Sequence, residues 1–166
     1  MATLFESFLE AGGKQITLVL GYYANEYLEA LEILPSKYPI TTQINPNPSN
    51  GQFSSLQVGL GKTPGPCYVL PVDCPPPPER LWFSLEKALV PPYQVSLPHY
   101  KSRGGHPLLL SEAFSKTLLS VAPTERLDHL IHALSKSEVC YVESEEPSIT
   151  LNLNTKADFE EWTRRK

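Results

Sequence analysis

A lone aspartate follows an apolar run in the stretch CYVLPVDCPPPPERLWF, residues 67–83. Asp73 ends the run CYVLPV, and prolines 75–78 separate it from the next segment with helical periodicity. A carboxylate at the end of a buried strand is typical of a metal ligand or of a residue that caps the following helix. A capping residue would lie closer to the helix than Asp73 does. Position alone leaves both interpretations open.

The segment INPNPSNGQFSSLQVGL, residues 44–60, is the second candidate. Asn45 ends a predicted strand, Gly51 lies in the loop, and Ser54 and Ser55 precede an apolar helical turn. Backbone amides and a serine hydroxyl could hold a nucleotide base, a ribose or a phosphate here. The alternative is a plain loop in which Ser54 or Ser55 caps a short helix.

The third candidate is the segment HYKSRGGHPLLL, residues 99–110, in which basic residues precede two glycines. Lys101 and Arg103 supply the charge beside Gly104 and Gly105, where the backbone can approach a ligand closely. His106 could form a hydrogen bond or titrate. The alternative is a tight turn between strands with a solvated basic flank.

The fourth candidate is LNLNTKADFEEW, residues 151–162. Asn154 ends a predicted strand, while Thr155 and Asp158 have the spacing of a capping box, so Asp158 is interpreted as structural. His129 and His132 lie three residues apart on a predicted helix. They have no companion ligand, which favours a surface or interface role over a metal site.

Short β-rich runs alternate with segments of helical periodicity along the chain. Strands are predicted over residues 15–20, 40–45, 67–72, 93–100, 138–143 and 148–153. Helices are predicted over residues 25–34, 79–90, 111–122, 124–135 and 155–162, with N-caps at Ser111 and Thr124. The alternation predicts a single α/β domain over residues 1–166, layered around a mostly parallel sheet.

Ligands of such sheets bind outside the carboxyl ends of the strands. The residues at these predicted ends are small or polar: Gly21, Asn45, Asp73, Asn152 and Asn154. The α/β interpretation therefore brings distant parts of the sequence to one edge of the sheet and predicts a shared site there.

Composition excludes some classes of protein. Of 166 residues, 41% are hydrophobic and 19% charged, and the formal net charge is −4. This acidic balance argues against a nucleic-acid partner but leaves room for a small anionic ligand. Apolar runs fall short of the ~18–20 residues of a membrane helix, and the N-terminus lacks a basic signal-peptide start. A cytoplasmic protein without a membrane partner is expected.

The cysteines argue against a disulfide framework or a zinc site, because they are odd in number and scattered. Cys67 and Cys140 lie in apolar runs and are predicted to be core thiols. The 17 prolines cluster in connections between the periodic segments. They predict stiff loops rather than disorder.

The order of the motifs resembles the nucleotidyltransferase family that attaches CMP or GMP to the molybdenum cofactor. The succession is a strand ending at Gly21, then NPNPSNGQFSSLQVGL, VLPVDCP, KSRGGHPLLL and LNLNTKADF. Relatives of this family include the cytidylyltransferases that make diphosphocytidyl-methylerythritol. The resemblance covers essentially the whole chain, and the R-G-G-H-P element looks most like the cytidylyltransferase branch.

This resemblance implies a three-layer Rossmann-like fold and a Mg²⁺-dependent reaction. An acceptor phosphate would attack the α-phosphorus of CTP or GTP, and pyrophosphate would leave. By motif position, Asp73 would hold the metal, and Asn154 would lie in the second metal-side position, where many relatives carry Asp. Asparagine could ligate through its carbonyl oxygen but would neutralise less of the metal charge.

The resemblance also assigns the remaining candidates. Asn45, Gly51 and Ser55 would lie near the base and the ribose. The residues expected to face the phosphorylated acceptor, with Arg103 in a catalytic role, are Arg103, Gly104, Gly105 and His106.

One family signature does not occur in the sequence. Relatives begin with a strand and a loop of the form L-A-x-G-x-S-x-R-M-G-x-x-K, whereas EAGGK, residues 10–14, matches the turn before their second strand. The first strand and the triphosphate-binding loop are therefore expected to be missing. Their loss would leave a sheet edge unpaired, and a homodimer could cover it.

Three interpretations follow. The chain is a transferase with weak or no catalysis, since phosphoryl-type transfer depends on positioning and charge stabilisation. Alternatively it is a non-catalytic nucleotide-binding or protein-interaction module on the same scaffold. In the third, an in-frame segment upstream supplies the missing loop, and the full protein is an ordinary enzyme.

Overall fold

Helices and strands alternate along residues 2–32 and 38–164, the part of the chain that the computed structural model describes. The helices are α1 (Ala2–Glu10), α2 (Ala24–Glu32), α3 (Gln52–Leu60), α4 (Glu79–Ala88), α5 (Glu112–Leu118), α6 (Leu127–His132) and α7 (Lys156–Arg164). The strands are β1 (Ile16–Leu20), β2 (Ile40–Ile44), β3 (Cys67–Val69), β4 (Val95–Tyr100), β5 (Arg103–Gly104), β6 (Leu108–Leu110) and β7 (Val139–Glu143). Short 3-10 helices span Pro48–Asn50 and Pro147–Thr150.

The described strands form two separate sheets. β1 and β2 pair in parallel, with Ile16 opposite Ile40. The other sheet has five strands; β4 pairs in parallel with β7, while the β3–β6, β6–β4 and β4–β5 pairs are antiparallel. The predicted α/β class is confirmed, but the larger sheet is mixed rather than mostly parallel. The connections between β4, β5 and β6 are too short for the crossovers that parallel pairing needs.

Helices pack on both faces of the five-stranded sheet. Leu108 and Leu110 of β6 join the larger buried cluster, to which α3 and α5 contribute. Leu109, between them, belongs to a second cluster with Leu85 of α4. Successive residues of a strand point to opposite faces, so these two clusters lie on opposite sides of the sheet. The result is a three-layer arrangement of helix, sheet and helix.

Helix α1 connects the two sheets, and it was not predicted from the sequence. On one side, the ring of Phe5 lies 5.8 Å from that of Tyr38, just before β2. On the other side, Phe8 lies 6.0 Å from Tyr68 of β3 and 5.2 Å from Trp82 of α4. Edge-to-face aromatic pairs at these distances are favourable, so α1 is held at both ends of its apolar face.

Two further predictions differ from the structure. The predicted strand 148–153 is wrong, since Pro147–Thr150 forms a 3-10 helix and residues 151–153 belong to no strand. Thr124 is not an N-cap, because α6 begins later, with Arg126 at the capping position. The predicted cap at Ser111 is confirmed; its hydroxyl accepts a hydrogen bond from the amide of Phe114. The predicted end of the second helix, residues 33–34, lies outside the described residues.

The capping box at the start of α7 is also confirmed. The Asp158 amide donates to Thr155 Oγ1 at 3.1 Å, and the Thr155 amide donates to Asp158 Oδ2 at 2.8 Å. Of the cysteines, Cys67 and Cys74 are buried, whereas Cys140 is half-buried. Within residues 2–32 and 38–164, no helix is long and apolar enough to cross a membrane.

Candidate functional site

A cleft of about 1280 Å³ lies between the two sheets. β1 and the segment from Cys67 to Asp73 line its sides, while Phe8 of α1 and Leu56 of α3 contribute from the helical layers. Typical small-molecule sites occupy ~300–1,000 Å³, so this cleft is larger than one such ligand requires.

Asp73 lies in a turn at one end of this cleft. The turn is closed by a hydrogen bond of 3.2 Å from the Cys74 amide to the Pro71 carbonyl oxygen. The capping interpretation of Asp73 is excluded, since α4 begins at Glu79 with Pro78 at the capping position. Asp73 is half-buried and lines the cleft.

Cys74, next to Asp73, is an inert neighbour of the candidate carboxylate. Burial, with a smaller contribution from the Asp73 charge, raises the pKa of the Cys74 thiol to about 12. Its Sγ lies 3.7 Å from Oδ1 of Asn152. A thiol with this pKa stays protonated near neutral pH, so Cys74 is neither a nucleophile nor a metal ligand there.

His106 lies near Asp73 and also lines the cleft. Its Nδ1 is buried and has no hydrogen-bond partner among the residues that the structure describes. Burial lowers the pKa of His106, and the Asp73 charge opposes that shift only in part. The imidazole is therefore neutral near pH 7, and its buried Nδ1 is left without a hydrogen bond to the described residues.

Gly105 has a packing reason to be glycine. A Cβ at this position would lie 2.5 Å from the carbonyl oxygen of Ile149, in the 3-10 helix. The next amide, that of His106, donates to the same oxygen at 2.8 Å. Gly105 was expected to let the backbone approach a ligand closely. The backbone instead lies close to that of Ile149, and the hydrogen bond from the His106 amide holds His106 in place.

The basic residues before the glycines form a hairpin turn. Lys101 and Ser102 both have positive φ, 46° and 66°, between the paired residues Tyr100 and Arg103. Two such residues match a type I′ turn, so the alternative of a tight turn with a basic flank describes this segment. Arg103 is exposed and is not among the residues that line the cleft.

Asn45 uses its side chain to organise its own loop. It is 3% exposed, and its Nδ2 donates to Ser54 Oγ at 2.8 Å and to Ser55 Oγ at 3.0 Å. Its Oδ1 accepts from the Asn47 amide at 2.9 Å. All three hydrogen bonds fix the entry to α3. Asn45 therefore positions Ser55, which lines the cleft, and Gly51 stands exposed outside it with φ of 93°.

Asn154 is exposed and does not line the cleft, although the segment before it reaches Asp73. The amide of Leu153 donates a hydrogen bond of 2.7 Å to the Asp73 carbonyl oxygen. The backbone thus brings this segment beside the Asp73 turn, whereas the Asn154 side chain is exposed.

The structure brings together five of the nine candidates on the wall of the cleft: Ser55, Asp73, Gly104, Gly105 and His106. The remaining four, Asn45, Gly51, Arg103 and Asn154, lie outside it.

Sequence reasoning missed His99, which also lines the cleft. Its Nδ1 lies 3.0 Å from Oε1 of Glu143, on the neighbouring strand β7. Its ring lies 5.4 Å from that of Tyr141. The available signal was a titratable residue near the carboxyl end of a predicted strand, the same criterion that selected Asp73.

The donor set suits a weakly held divalent ion better than a preformed metal centre. Among the described residues, no group of three His, Cys, Asp or Glu side chains could hold a metal ion. Mg²⁺ usually binds through one or two carboxylates together with substrate phosphates and water. The Asp73 carboxylate at the cleft fits that mode of binding when a nucleotide supplies the other oxygens.

Solved structures of other proteins share this fold. Rv0371c from Mycobacterium tuberculosis H37Rv superposes with a TM-score of 0.77 at 16% identity, covering 98% of this chain and 82% of that one. It has also been solved in complex with manganese. HddC from Yersinia pseudotuberculosis, complexed with GMP-PN, gives a TM-score of 0.71 at 14% identity, covering 98% and 83%.

Molybdopterin-guanine dinucleotide biosynthesis protein A from Archaeoglobus fulgidus gives a TM-score of 0.63 at 18% identity, covering 98% of this chain and 86% of that one. These likenesses confirm the Rossmann-like nucleotidyltransferase fold that the motif order implied. No curated protein sequence matches the chain.

The family follows from the sequence match. The model of the MobA-like NTP transferase domain matches residues 1–139, which is most of the chain. The matched part contains Asp73, Arg103 and His106, whereas Asn154 lies beyond it. The chain therefore belongs to the MobA-like NTP transferase family.

Proposed function

We propose that this chain binds CTP or GTP with Mg²⁺ and transfers the nucleoside monophosphate to a phosphorylated acceptor such as molybdopterin. One observation carries the proposal: Asp73 and His106 both line the cleft of an NTP transferase domain, close enough for the Asp73 charge to act on the imidazole. The GMP-PN complex of HddC and the manganese complex of Rv0371c support nucleotide and divalent metal as ligand classes. The name of the Archaeoglobus protein supports a molybdopterin acceptor.

In this proposal the residues of the chain have separate tasks. Asp73 supplies the carboxylate for Mg²⁺, which would offset charge on the triphosphate. The hydroxyl of Ser55, positioned by Asn45, contacts the base or the ribose. Gly104, Gly105 and the neutral His106 line the part of the cleft where the acceptor would bind. The exposed Arg103 would have to turn toward the cleft to attract the acceptor phosphate.

The second candidate is a non-catalytic nucleotide-binding module on the same scaffold. It is favoured by the proposed second metal-side position, which offers no carboxylate. Asn154, the proposed second metal-side residue, is neutral and exposed. A homodimer that covers an open sheet edge and a cytoplasmic location both stay predictions; light scattering over a range of protein concentrations tests the first.

Calorimetry with CTP and GTP in the presence of Mg²⁺ tests both candidates. We expect binding that requires Mg²⁺ and that is weakened by Asp73→Ala but not by Glu112→Ala, a carboxylate on the surface of α5. Release of pyrophosphate in the presence of molybdopterin separates the enzyme from the binding module. If neither nucleotide binds at millimolar concentration, both candidates are wrong.

A further inference from the structure

Four strands of the larger sheet bring ionisable side chains to one of its edges. β3, β4 and β7 run in the same direction, whereas β6, between β3 and β4, runs in the opposite direction. The carboxyl ends of the first three therefore lie at the same edge as the start of β6. In spatial order, this edge carries Asp73 after β3, His106 before β6, His99 near the end of β4 and Glu143 at the end of β7. His99 and Glu143 thus extend the proposed site across two more strands.

Glu143 holds the imidazole of His99 in one orientation. The two residues are paired in register across β4 and β7, and His99 Nδ1 lies 3.0 Å from Glu143 Oε1. The ring of Tyr141 packs against the same imidazole, with 5.4 Å between the ring centres. In the neutral imidazole, a carboxylate beside Nδ1 favours the tautomer in which Nδ1 donates its proton to that carboxylate. Nε2 is then a hydrogen-bond acceptor. Glu143 is not among the residues that line the cleft, so it acts on a ligand there through His99.

The other flank of His99 is open to the cleft. Its partner on β5 is Gly104, which has no side chain to cover the imidazole. The His99 side chain is 24% exposed and lines the cleft, as does Tyr141. The imidazole is therefore fixed from one side and accessible from the other, which is the combination that a ligand-binding side chain requires.

The position of His99 determines which part of a substrate it meets. β4 lies two strand spacings from β3, roughly 10 Å, so a phosphate that reacts beside Asp73 does not reach His99 at the same time. The negative charge of Glu143 also disfavours an anionic group beside the imidazole. An unprotonated Nε2 instead accepts a hydrogen bond from a neutral donor, either a hydroxyl or an N–H group.

We propose that His99, positioned by Glu143, binds the acceptor away from its phosphate, by accepting a hydrogen bond at Nε2 from a hydroxyl or N–H group of the acceptor. This inference rests on the proposed function and narrows its substrate class. The acceptor is a phosphate ester whose body carries a neutral hydrogen-bond donor within roughly 10 Å of the phosphorus. His99 is then a specificity-determining residue, and Glu143 is a positioning residue.

Nitrogen-15 NMR of the protein labelled at its histidines tests the role of Glu143. The ring signals of His99 are assigned by their loss in His99→Phe. We expect the neutral ring to carry its proton on Nδ1, and Glu143→Ala should shift the population toward the tautomer protonated on Nε2. Glu145→Ala is the matched control, because Glu145 is exposed and does not line the cleft. A His99 tautomer that is the same in all these proteins would contradict the positioning role.

Ribose 5-phosphate and n-pentyl phosphate are the matched probes for the binding step. Both carry a phosphate on a chain of five carbons, but only the sugar has hydroxyl donors. With Mg²⁺ present, with and without CTP, we expect ribose 5-phosphate to shift the Nε2 signal of His99, and pentyl phosphate to leave it unchanged. Loss of one neutral hydrogen bond should weaken the binding of ribose 5-phosphate about fivefold in His99→Phe. Pentyl phosphate should bind the wild type and this variant equally.

Two results would overturn the inference. One is a wild-type His99 signal that does not move with ribose 5-phosphate at millimolar concentration, a readout that needs no variant to fold. The other is an equal response of that signal to both probes, which would mean that hydroxyl donors are not recognised. Calorimetry with CTP and GTP reports on the nucleotide site separately. Nucleotide binding without a His99 response overturns this inference alone, whereas a His99 response without nucleotide binding overturns the proposed function.

Discussion

The backbone amide of Leu153 donates a hydrogen bond of 2.7 Å to the carbonyl oxygen of Asp73. These two residues lie far apart in the sequence, and neither belongs to a helix or a strand. The bond fixes the turn that carries the candidate metal ligand against the segment that precedes α7. The C-terminal part of the chain therefore supports the candidate site through its backbone, while the Asn154 side chain remains exposed.

Replacing Leu153 by proline should impair the site without destroying the fold. Proline removes the amide donor, so the Asp73 turn loses its anchor. Changes to groups that support a metal ligand cost about 10–100-fold in affinity, and we expect about tenfold weaker Mg²⁺-nucleotide binding by calorimetry. Lys156→Pro is the matched control, because the first turn of a helix such as α7 does not need that amide. Equal affinity in both variants would contradict the supporting role.

Asn45→Ala should destabilise the protein rather than remove a direct ligand contact. The substitution removes three buried or partly buried hydrogen bonds and leaves the two serine hydroxyls to find other partners. We expect a loss of about 1–3 kcal/mol in the free energy of unfolding, measured in urea. Asn47→Ala, in the same loop with an exposed side chain, should change it by less than about 0.5 kcal/mol.

Gly105→Ala should cost more stability than Gly104→Ala. At Gly105 the new Cβ meets the backbone oxygen of Ile149 at 2.5 Å, whereas at Gly104 it meets the Leu97 side chain at 3.0 Å. A side-chain methyl can move aside more readily than a packed carbonyl group. Overpacking of this kind costs about 1–3 kcal/mol. Thermal unfolding of both variants measures the difference in stability. A larger loss for Gly104→Ala than for Gly105→Ala would contradict this prediction and show that the backbone near residue 149 moves aside readily.

The Cys74 thiol should react slowly with iodoacetamide in the native protein. With a pKa of about 12, it is about 10³-fold less ionised at pH 8 than a thiol with a pKa of 9.0. Mass spectrometry of peptides after timed labelling measures the rate at each cysteine. Labelling in urea gives the unfolded reference, in which Cys74 should react at the rate of an ordinary thiol. Rapid native labelling would mean that the Asp73 turn is open in solution.

Protonation of His106 should lower the free energy of unfolding as the pH falls. Burial lowers its pKa in the folded state, so the unfolded chain takes up a proton first. The contribution of neutral His106 to the free energy of unfolding is fully present above the pKa of the unfolded chain, ~6.5. It is lost as the pH falls through the lower pKa of the folded state.

The measurement is the free energy of unfolding of the protein and of His106→Gln between about pH 7.5 and about pH 5, a range that brackets the ordinary histidine pKa of ~6.5. The wild type should lose more stability over this range than the variant does. His132→Gln, on the exposed side of α6, is the control and should follow the wild type. Parallel curves for all three proteins would contradict the burial of a neutral His106.

The sequence by itself determined the local features. Ser111 and the pair Thr155 and Asp158 were recognisable as caps because their hydrogen bonds join residues only three positions apart. The existence and type of most helices and strands followed for a similar reason, since periodicity is a local property. The order of motifs also indicated the family, because it is read along the chain.

The tertiary structure decided which residues meet. Asp73 lies beside Leu153, Gly105 against Ile149, and Asn45 between two serines of the following helix. These contacts depend on how the elements pack, which no spacing in the sequence records. The cleft between β1 and β3 is a property of the same kind. The sequence shows the two strands only as separate apolar runs, and packing alone places them on two sides of one cleft.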